Sequence, residues 1–395
     1  MPAAAACRCT VHDALRGIRA TGGAARYGSS KPANYPPTLE ASHSSCAFRS
    51  TNSIATEKKE VFLLKDDFAM LSGRSILMIG DCFERRLVIM ACSFFAGVNK
   101  SEELINFAGA ENVASYACRI PVGCKHKGHS GCQGHVTLAN IMLVGVGQPP
   151  WLNQAYSTQH GRLYYMSQEL MARPAHESVP RMMRDFVQRF GPPSFVTLQS
   201  LSWDYGRWAM DASLEQCKPC DHWSAMLPPK TPVVGRNISV KVSETEALHY
   251  WATTGERFLK QWTRDAGQLA SAVVEEVPKG TPVFWRTRYV PLLEAGMAPR
   301  ALAHYYNTRP GGTPSTRATP ILPHAYAAMN EAVRASHREW GVDLLDWARI
   351  TSGFTGWYHA DGLHQREWVS RIYLKVVLNA VLAALDERAI ARCSA

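Results

Sequence analysis

The sequence predicts an α/β protein in which a mostly parallel sheet of about five strands is covered by helices on both faces. Three observations carry this. Short apolar runs recur at 75–79, 139–146, 195–201, 281–289 and 342–347, each of strand length and too apolar for a sheet with one wet face. Between most of them lie segments with apolar residues at helical spacing. The runs end in turn residues, notably Gly80-Asp81 and Gly145-Val146-Gly147. Strands that alternate with helices need crossovers, and crossovers produce parallel neighbours.

Taken in order, residues 1–60 mix Ala, Gly, Ser and Pro without a sustained period, which predicts a disordered or targeting leader and linker ahead of one folded domain over 61–390. Ser75–Ile79 is the first strand. Gly80-Asp81 turns it into a helix whose inward face fits Leu87, Ile89, Met90, Phe94 and Phe95. Ser101–Phe107 reads as a short helix with acids in its first turn, followed by a Cys/His-rich loop. Ala139–Val146 is the second strand. The Gly145-x-Gly147 after it runs into Gln148-Pro149-Pro150, so it suits a turn with an exposed N–H better than a phosphate loop. Residues 180–190 form an amphipathic helix opened by Pro180, with Met182, Met183, Phe186 and Phe190 inward, and Phe195–Leu201 is the third strand. The capping box Ser243-x-x-Glu246 opens a long helix carrying Leu248, Trp251, Phe258, Leu259, Trp262, Leu269 and Val273. Thr281–Tyr289 is the fourth strand, Asn307–Pro320 a surface loop, His324–Trp340 a helix, Val342–Trp347 the fifth strand and Gln365–Leu385 an apolar-faced terminal helix.

A chain of 395 residues at 46% hydrophobic can bury a large core. Its formal charge of +10 is compatible with acidic partners, but Lys and Arg are spread along the chain without a basic stripe, which argues against nucleic acid. The longest apolar run, Leu87–Val98, is about half a bilayer span, so no integral membrane segment is expected. Eleven cysteines and the sequons Asn99-Lys100-Ser101 and Asn237-Ile238-Ser239 are compatible with a secretory chain, whereas the Ala/Arg-rich, acid-poor start resembles an organelle transit segment. Both compartments stay open.

Cys82 stands where a buried strand turns into a helix. Backbone N–H groups and the helix dipole there favour negative charge, which lowers a thiol pKa and stabilises an oxyanion. Near the other end, Asp361-Gly362-Leu363-His364 supplies a carboxylate and an imidazole three residues apart. A nucleophile needs a base within reach, and the base needs an acceptor that fixes its tautomer, so Cys82, His364 and Asp361 make a nucleophile, a general base and its orienter. Each has a plainer reading as well: a packed core thiol, a loop histidine with ordinary partners, a turn or capping aspartate.

Gly80-Asp81-Cys82 after a strand, with Asp361-Gly362-Leu363-His364 ahead of the terminal helix, resembles the first and last blocks of the SGNH (GDSL-like) hydrolases, with cysteine where that family has serine. The PC-esterase, or trichome-birefringence-like, branch is the closer likeness. Its Gly-Asp-Ser-x-x-Arg pattern is matched by Arg85, and Ser200-x-x-Trp203-Asp204, Val283–Thr287 and Leu345-Asp346-Trp347 follow in order. The resemblance covers roughly residues 70–385. It implies a three-layer αβα sandwich of flavodoxin-like type and an esterase or O-acyltransferase working through an acyl-enzyme on an acylated small molecule or glycan, without a cofactor, in the secretory pathway. It also implies an oxyanion hole from the Cys82 N–H, Gly145 or Gly147, and Ser202, the family's asparagine position falling on Trp203. Arg85, Trp203, Asp204 and Trp357 become candidate substrate contacts. The departure at Cys82 matters, because thiolate leaves more readily than alkoxide; adducts of unactivated esters would collapse backwards, favouring transfer chemistry, thioester donors or aryl esters.

Other residues carry weaker signals. Cys118, Cys124, His126, His129, Cys132 and His135 crowd one loop, and Cys217, Cys220 and His222 could add ligands, but the spacing fits no standard zinc finger and no metal site is assigned; disulfides within the loop or across to Cys217 and Cys220 are expected in a secreted chain, free thiols in a reducing compartment. Trp203, Tyr205, Trp208, Trp223, Trp357 and Tyr358 could stack on sugar rings or simply fill the core. An alternative function of another class is therefore an inactive, carbohydrate-binding descendant of the same fold.

Overall fold

The computed structural model describes residues 18–21, 38–41, 71–97, 104–109, 112, 114–122, 134–147, 173–205, 208, 244–289, 322–352 and 367–393. Near the start of the sequence, β1 (Ile18–Thr21) and β2 (Thr38–Ala41) pair antiparallel as a ribbon of their own. The rest is built on a seven-stranded sheet: β3 (Ser75–Gly80), β4 (Ile105–Asn106), β5 (Tyr116–Val122), β6 (Gly134–Met142), β7 (Phe195–Leu198), β8 (Val283–Arg286) and β9 (Asp343–Leu345), in the order β4-β5-β6-β3-β7-β8-β9. From β6 to β9 every pairing is parallel, and β4 and β5 add an antiparallel edge. In chain order the parallel strands run 2-1-3-4-5, so the connections reverse direction on either side of β3, which makes the carboxyl end of β3 the topological switch point of the sheet.

The helices are α1 (Cys82–Ala96), α2 (Ala175–Phe190), α3 (Glu244–Glu276), α4 (Pro323–Ser336), the short α5 (Trp347–Ile350) and α6 (Glu367–Cys393). Strand period two divides the core. Leu77 and Ile79 of β3, with Val196, Leu198 and Trp285, pack on one face against Met182, Met183 and Phe186 of α2, Leu269 and Val273 of α3, and Met329 of α4. Ile76 and Met78, with Phe195 and Phe284, pack on the other against Leu87, Val88 and Ala91 of α1 and Tyr373, Val376 and Val377 of α6.

Several expectations need correction. Of the segment 101–107, the described residues 104–107 are not helical: Ile105 and Asn106 form the two-residue strand β4, pairing with Ala117 and Tyr116. The Cys/His-rich segment begins as strand β5, and the sheet has seven strands, two of them antiparallel. Helix α2 starts at Ala175, with Pro180 inside it rather than at its start. On α1 the inward stripe is Phe83, Leu87, Val88, Ala91, Cys92 and Phe95, while Phe94 is 51% exposed beneath the guanidinium of Arg371.

Cys118 is neither a zinc ligand nor bridged within its own loop. It is bonded to Cys92, tying α1 to β5 across a separation of 26 residues. Cys124, His126, His129, Cys132, Cys217, Cys220 and His222 lie outside the described residues, and His135 is exposed on β6. Among the described residues no group of three His, Cys, Asp or Glu side chains could hold a metal. No described helix is long and apolar enough to cross a membrane.

Candidate active site

Cys82 is the first residue of α1, directly after β3, the strand at which the sheet order reverses. Asp81 is the helix N-cap, and its Oδ1 accepts from the Phe83 N–H at 2.9 Å. Its other oxygen is held by a buried ion pair with Arg288, just beyond β8. Gln199, just beyond β7, completes the clamp: its amide lies 3.4 Å from Asp81 Oδ2, and its carbonyl oxygen 3.5 Å from the Asp81 N–H. Three adjacent parallel strands thus converge on the residue before Cys82. Asn330 of α4 fixes the Arg288 backbone in turn, accepting from its N–H at 2.9 Å and donating to its carbonyl at 2.6 Å.

A second buried pair lies one step further along α1. Glu84 receives Arg286 Nε at 2.7 Å, and the guanidinium packs against both Phe83 and Tyr373, 4.6 and 4.9 Å from their centroids, the two rings themselves being 5.4 Å apart. Glu84 Oε2 has no hydrogen-bond partner among the described residues and faces Gly80, where a Cβ would lie 2.6 Å from it. A side chain at residue 80 would drive this carboxylate out of place. Burial pushes the Glu84 carboxyl up to about 7, with Arg286 opposing the shift.

The thiol departs from expectation. Cys82 is 3% exposed, and burial, followed by the Asp81 carboxylate, pushes its pKa up to about 12 against the opposing pull of Arg288, Arg85 and Arg86. The position at a helix start does not lower it, because burial, with the Asp81 carboxylate at the N-cap beside it, outweighs the favourable charges around it. Arg288 itself is held well above its ordinary value: burial, the largest single effect, would lower it, but Asp81 together with Tyr289, Tyr326 and Cys82 outweighs it.

The neighbouring strand ends supply the remaining candidates. After β6, Gly145 takes φ +86°, a left-handed conformation, and a Cβ there would lie 2.9 Å from Asp204 Oδ1. That closeness has a purpose: Asp204 accepts from the Val146 N–H at 2.8 Å and from the Ser200 hydroxyl, and so ties the β6 turn to the β7 turn. Residues 202–205 form one helical turn, with Ser202, Trp203 and Tyr205 buried. The Tyr326 hydroxyl of α4 lies 3.5 Å from Ser202 Oγ, while Tyr205 Oη accepts from the Leu322 N–H at 3.0 Å. Burial raises the phenols of Tyr205, Tyr289 and Tyr326, and Arg288 opposes it at the last two.

The structure therefore brings Cys82 together with Asp81, Arg85 and Arg288, and Gly145 together with Asp204. It gives Asp204 a connecting role between two loops. His364, Asp361 and Trp357 lie outside the described residues, as do Trp223 and Tyr358. Sequence reasoning passed over Gln199, Arg288, Tyr326 and Asn330. Arg286 and Arg288 did leave a signal, since two arginines within an otherwise apolar strand segment require buried partners. Gln199 and Asn330 left none.

Comparison with models of protein families, with curated proteins and with solved structures finds no match.

Proposed function

We propose that the chain is an esterase or O-acyltransferase of the SGNH type, close to the PC-esterase branch, with Cys82 as nucleophile, His364 as general base and Asp361 as its orienter. The observation that carries this reading is the place of Cys82: the first residue of a helix at the carboxyl end of the strand where a 2-1-3-4-5 parallel order reverses. The Gly145 turn and the Ser200–Asp204 block flank it at the ends of β6 and β7, where the family resemblance puts the oxyanion donors. Acylated glycans or small acyl esters are the substrate class that the same resemblance brings.

The raised thiol pKa shapes the mechanism. Cys82 enters as a neutral thiol, and His364 removes its proton as sulfur attacks the acyl carbon, in the manner of a serine enzyme rather than of a preformed thiolate–imidazolium pair. The Cys82 N–H and the Gly145 or Gly147 N–H would receive the oxyanion. Acyl release from a small aryl acetate tests this. It should fall by about 10³-fold or more in Cys82→Ala and His364→Ala.

A second reading rests on the same burial. A thiol that is 3% exposed and held protonated also suits a site that keeps a carbohydrate or other ligand without turning it over. Absence of turnover in wild type and in Cys82→Ser, with the ligand retained, would favour it.

A further inference from the structure

A cavity of about 270 Å³ lies between the turn after β6 and the middle of α3, bordered by Gly147 and Asp204 and thus at the same edge of the sheet as Cys82. Four of its lining residues are aromatic, Trp208, Tyr250, Phe258 and Trp262, and most of the others are polar. Trp208 packs on Tyr250 and Phe258 with centroids 5.4 and 6.4 Å apart.

The polar groups around the cavity fall into two sets. Asp204 is engaged by the Val146 N–H and the Ser200 hydroxyl, and Asp265 by Gln261 Nε2 at 2.7 Å and Arg264 at 3.6 Å. Thr254 Oγ1 accepts from Trp208 Nε1 at 2.9 Å and donates to the Tyr250 carbonyl at 2.8 Å. Two donors are different. Arg257 is exposed at the cavity and forms no ion pair among the described residues. The Trp262 indole N–H is buried in the cavity wall and has no acceptor among the described residues.

A space with aromatic faces, a guanidinium that makes no ion pair among the described residues and an indole N–H with no acceptor among them is complementary to a ring that bears acceptor oxygens and a negative charge. Guanidinium and carboxylate match as a two-pronged pair, and ring faces stack on indole. The cavity is below the ~300–1,000 Å³ typical of drug-sized ligands, so one ring fits and an oligomer does not. We infer that this cavity is a binding site for a single-ring carboxylate, with the carboxylate on Arg257, the ring against Trp208 and Tyr250, and a ring oxygen or carboxylate oxygen on Trp262 Nε1. Its role as the acyl acceptor or donor subsite rests on Cys82 being the nucleophile; the binding itself does not.

The test is calorimetric titration of the full chain with glucuronate and with benzoate, each against its neutral counterpart, glucose and benzyl alcohol. The same titrations are run on Arg257→Gln, Trp262→Phe and Cys82→Ala. At least one carboxylate should bind, ten-fold or more tightly than its neutral counterpart, and weaken with added salt. Arg257→Gln should lose about ten-fold, Trp262→Phe should lose affinity while keeping the ring wall, and Cys82→Ala should bind as wild type does. Whichever acid binds identifies the ring as sugar-like or aryl. Failure of both acids to bind, equal binding of the neutral rings, or an unaffected Arg257→Gln would overturn the inference. Binding without any ester turnover would remove only the Cys82 reading, and turnover without carboxylate binding only this one.

Discussion

Asp81, Glu84, Arg286 and Arg288 are all buried, the two carboxylates on either side of the thiol in the chain, and each ion pair joins the start of α1 to the end of β8. Taking such charges out of water costs several kcal/mol per ion, and their mutual attraction offsets this only while both partners are present. Arg286→Met alone should therefore lower unfolding stability by about 3–5 kcal/mol, since Glu84 is left as an unmatched buried carboxyl whose pKa climbs further. The double change Arg286→Met with Glu84→Gln should recover much of that loss, as read by urea unfolding of the two single variants and the double one. Equal losses in the single and double variants would mean that packing against Phe83 and Tyr373, not charge, is what Arg286 contributes. At this scale the sequence was legible where a residue type is chemically distinctive. Cys82 after Gly80-Asp81 stood out. Gln199 and Asn330 did not, because a buried amide is recognised by its partners, and those partners are more than forty residues away in the chain.

At the scale of elements, α1 is held at both ends. Its N-terminus is clamped through Asp81, and its last turns are fastened to β5 by the Cys92–Cys118 disulfide. Closing a loop of this length restricts the unfolded chain and is worth about 3 kcal/mol. Reduction, or replacement of both cysteines by alanine, should lower stability by about 2–4 kcal/mol in denaturant, which comparing oxidised and reduced protein will measure. An unchanged midpoint would show that the bridge constrains nothing the fold does not already constrain. Strand β5 escaped sequence reading for a physical reason. It carries Cys118, Arg119 and Pro121, a poor strand signal, yet Pro121 lies beyond the two residues that pair with β4, on the side where no ladder bond is lost. The inward stripe of α1 was misplaced at Phe94 because two adjacent phenylalanines offer the same hydrophobicity, and only the packed sheet decides which of them turns inward.

For the whole molecule, alternation of short apolar runs with amphipathic segments was enough to foresee a mostly parallel sheet flanked by helices. The five parallel strands fall at or near the predicted runs. Strand order is a different kind of information. It is set by which crossover packs on which face, and no local pattern records it; yet the order is what places Cys82 at the switch point of the sheet rather than merely at a helix start. The long α3 shows the same limit. Its apolar spacing was readable, but its neighbours across the cavity, Gly147 and Asp204, come from the ends of two other segments.

The central claim is that Cys82 carries an acyl group. Intact-mass and peptide mass spectrometry of the protein quenched in acid during turnover of an aryl acetate measures this directly. An acetyl increment on the peptide containing Cys82, present in wild type, accumulated in His364→Ala after slow loading and absent in Cys82→Ala, is the predicted result. Aryl acetate cleavage at the wild-type rate in Cys82→Ala, with no increment on that peptide at any time point, would contradict it.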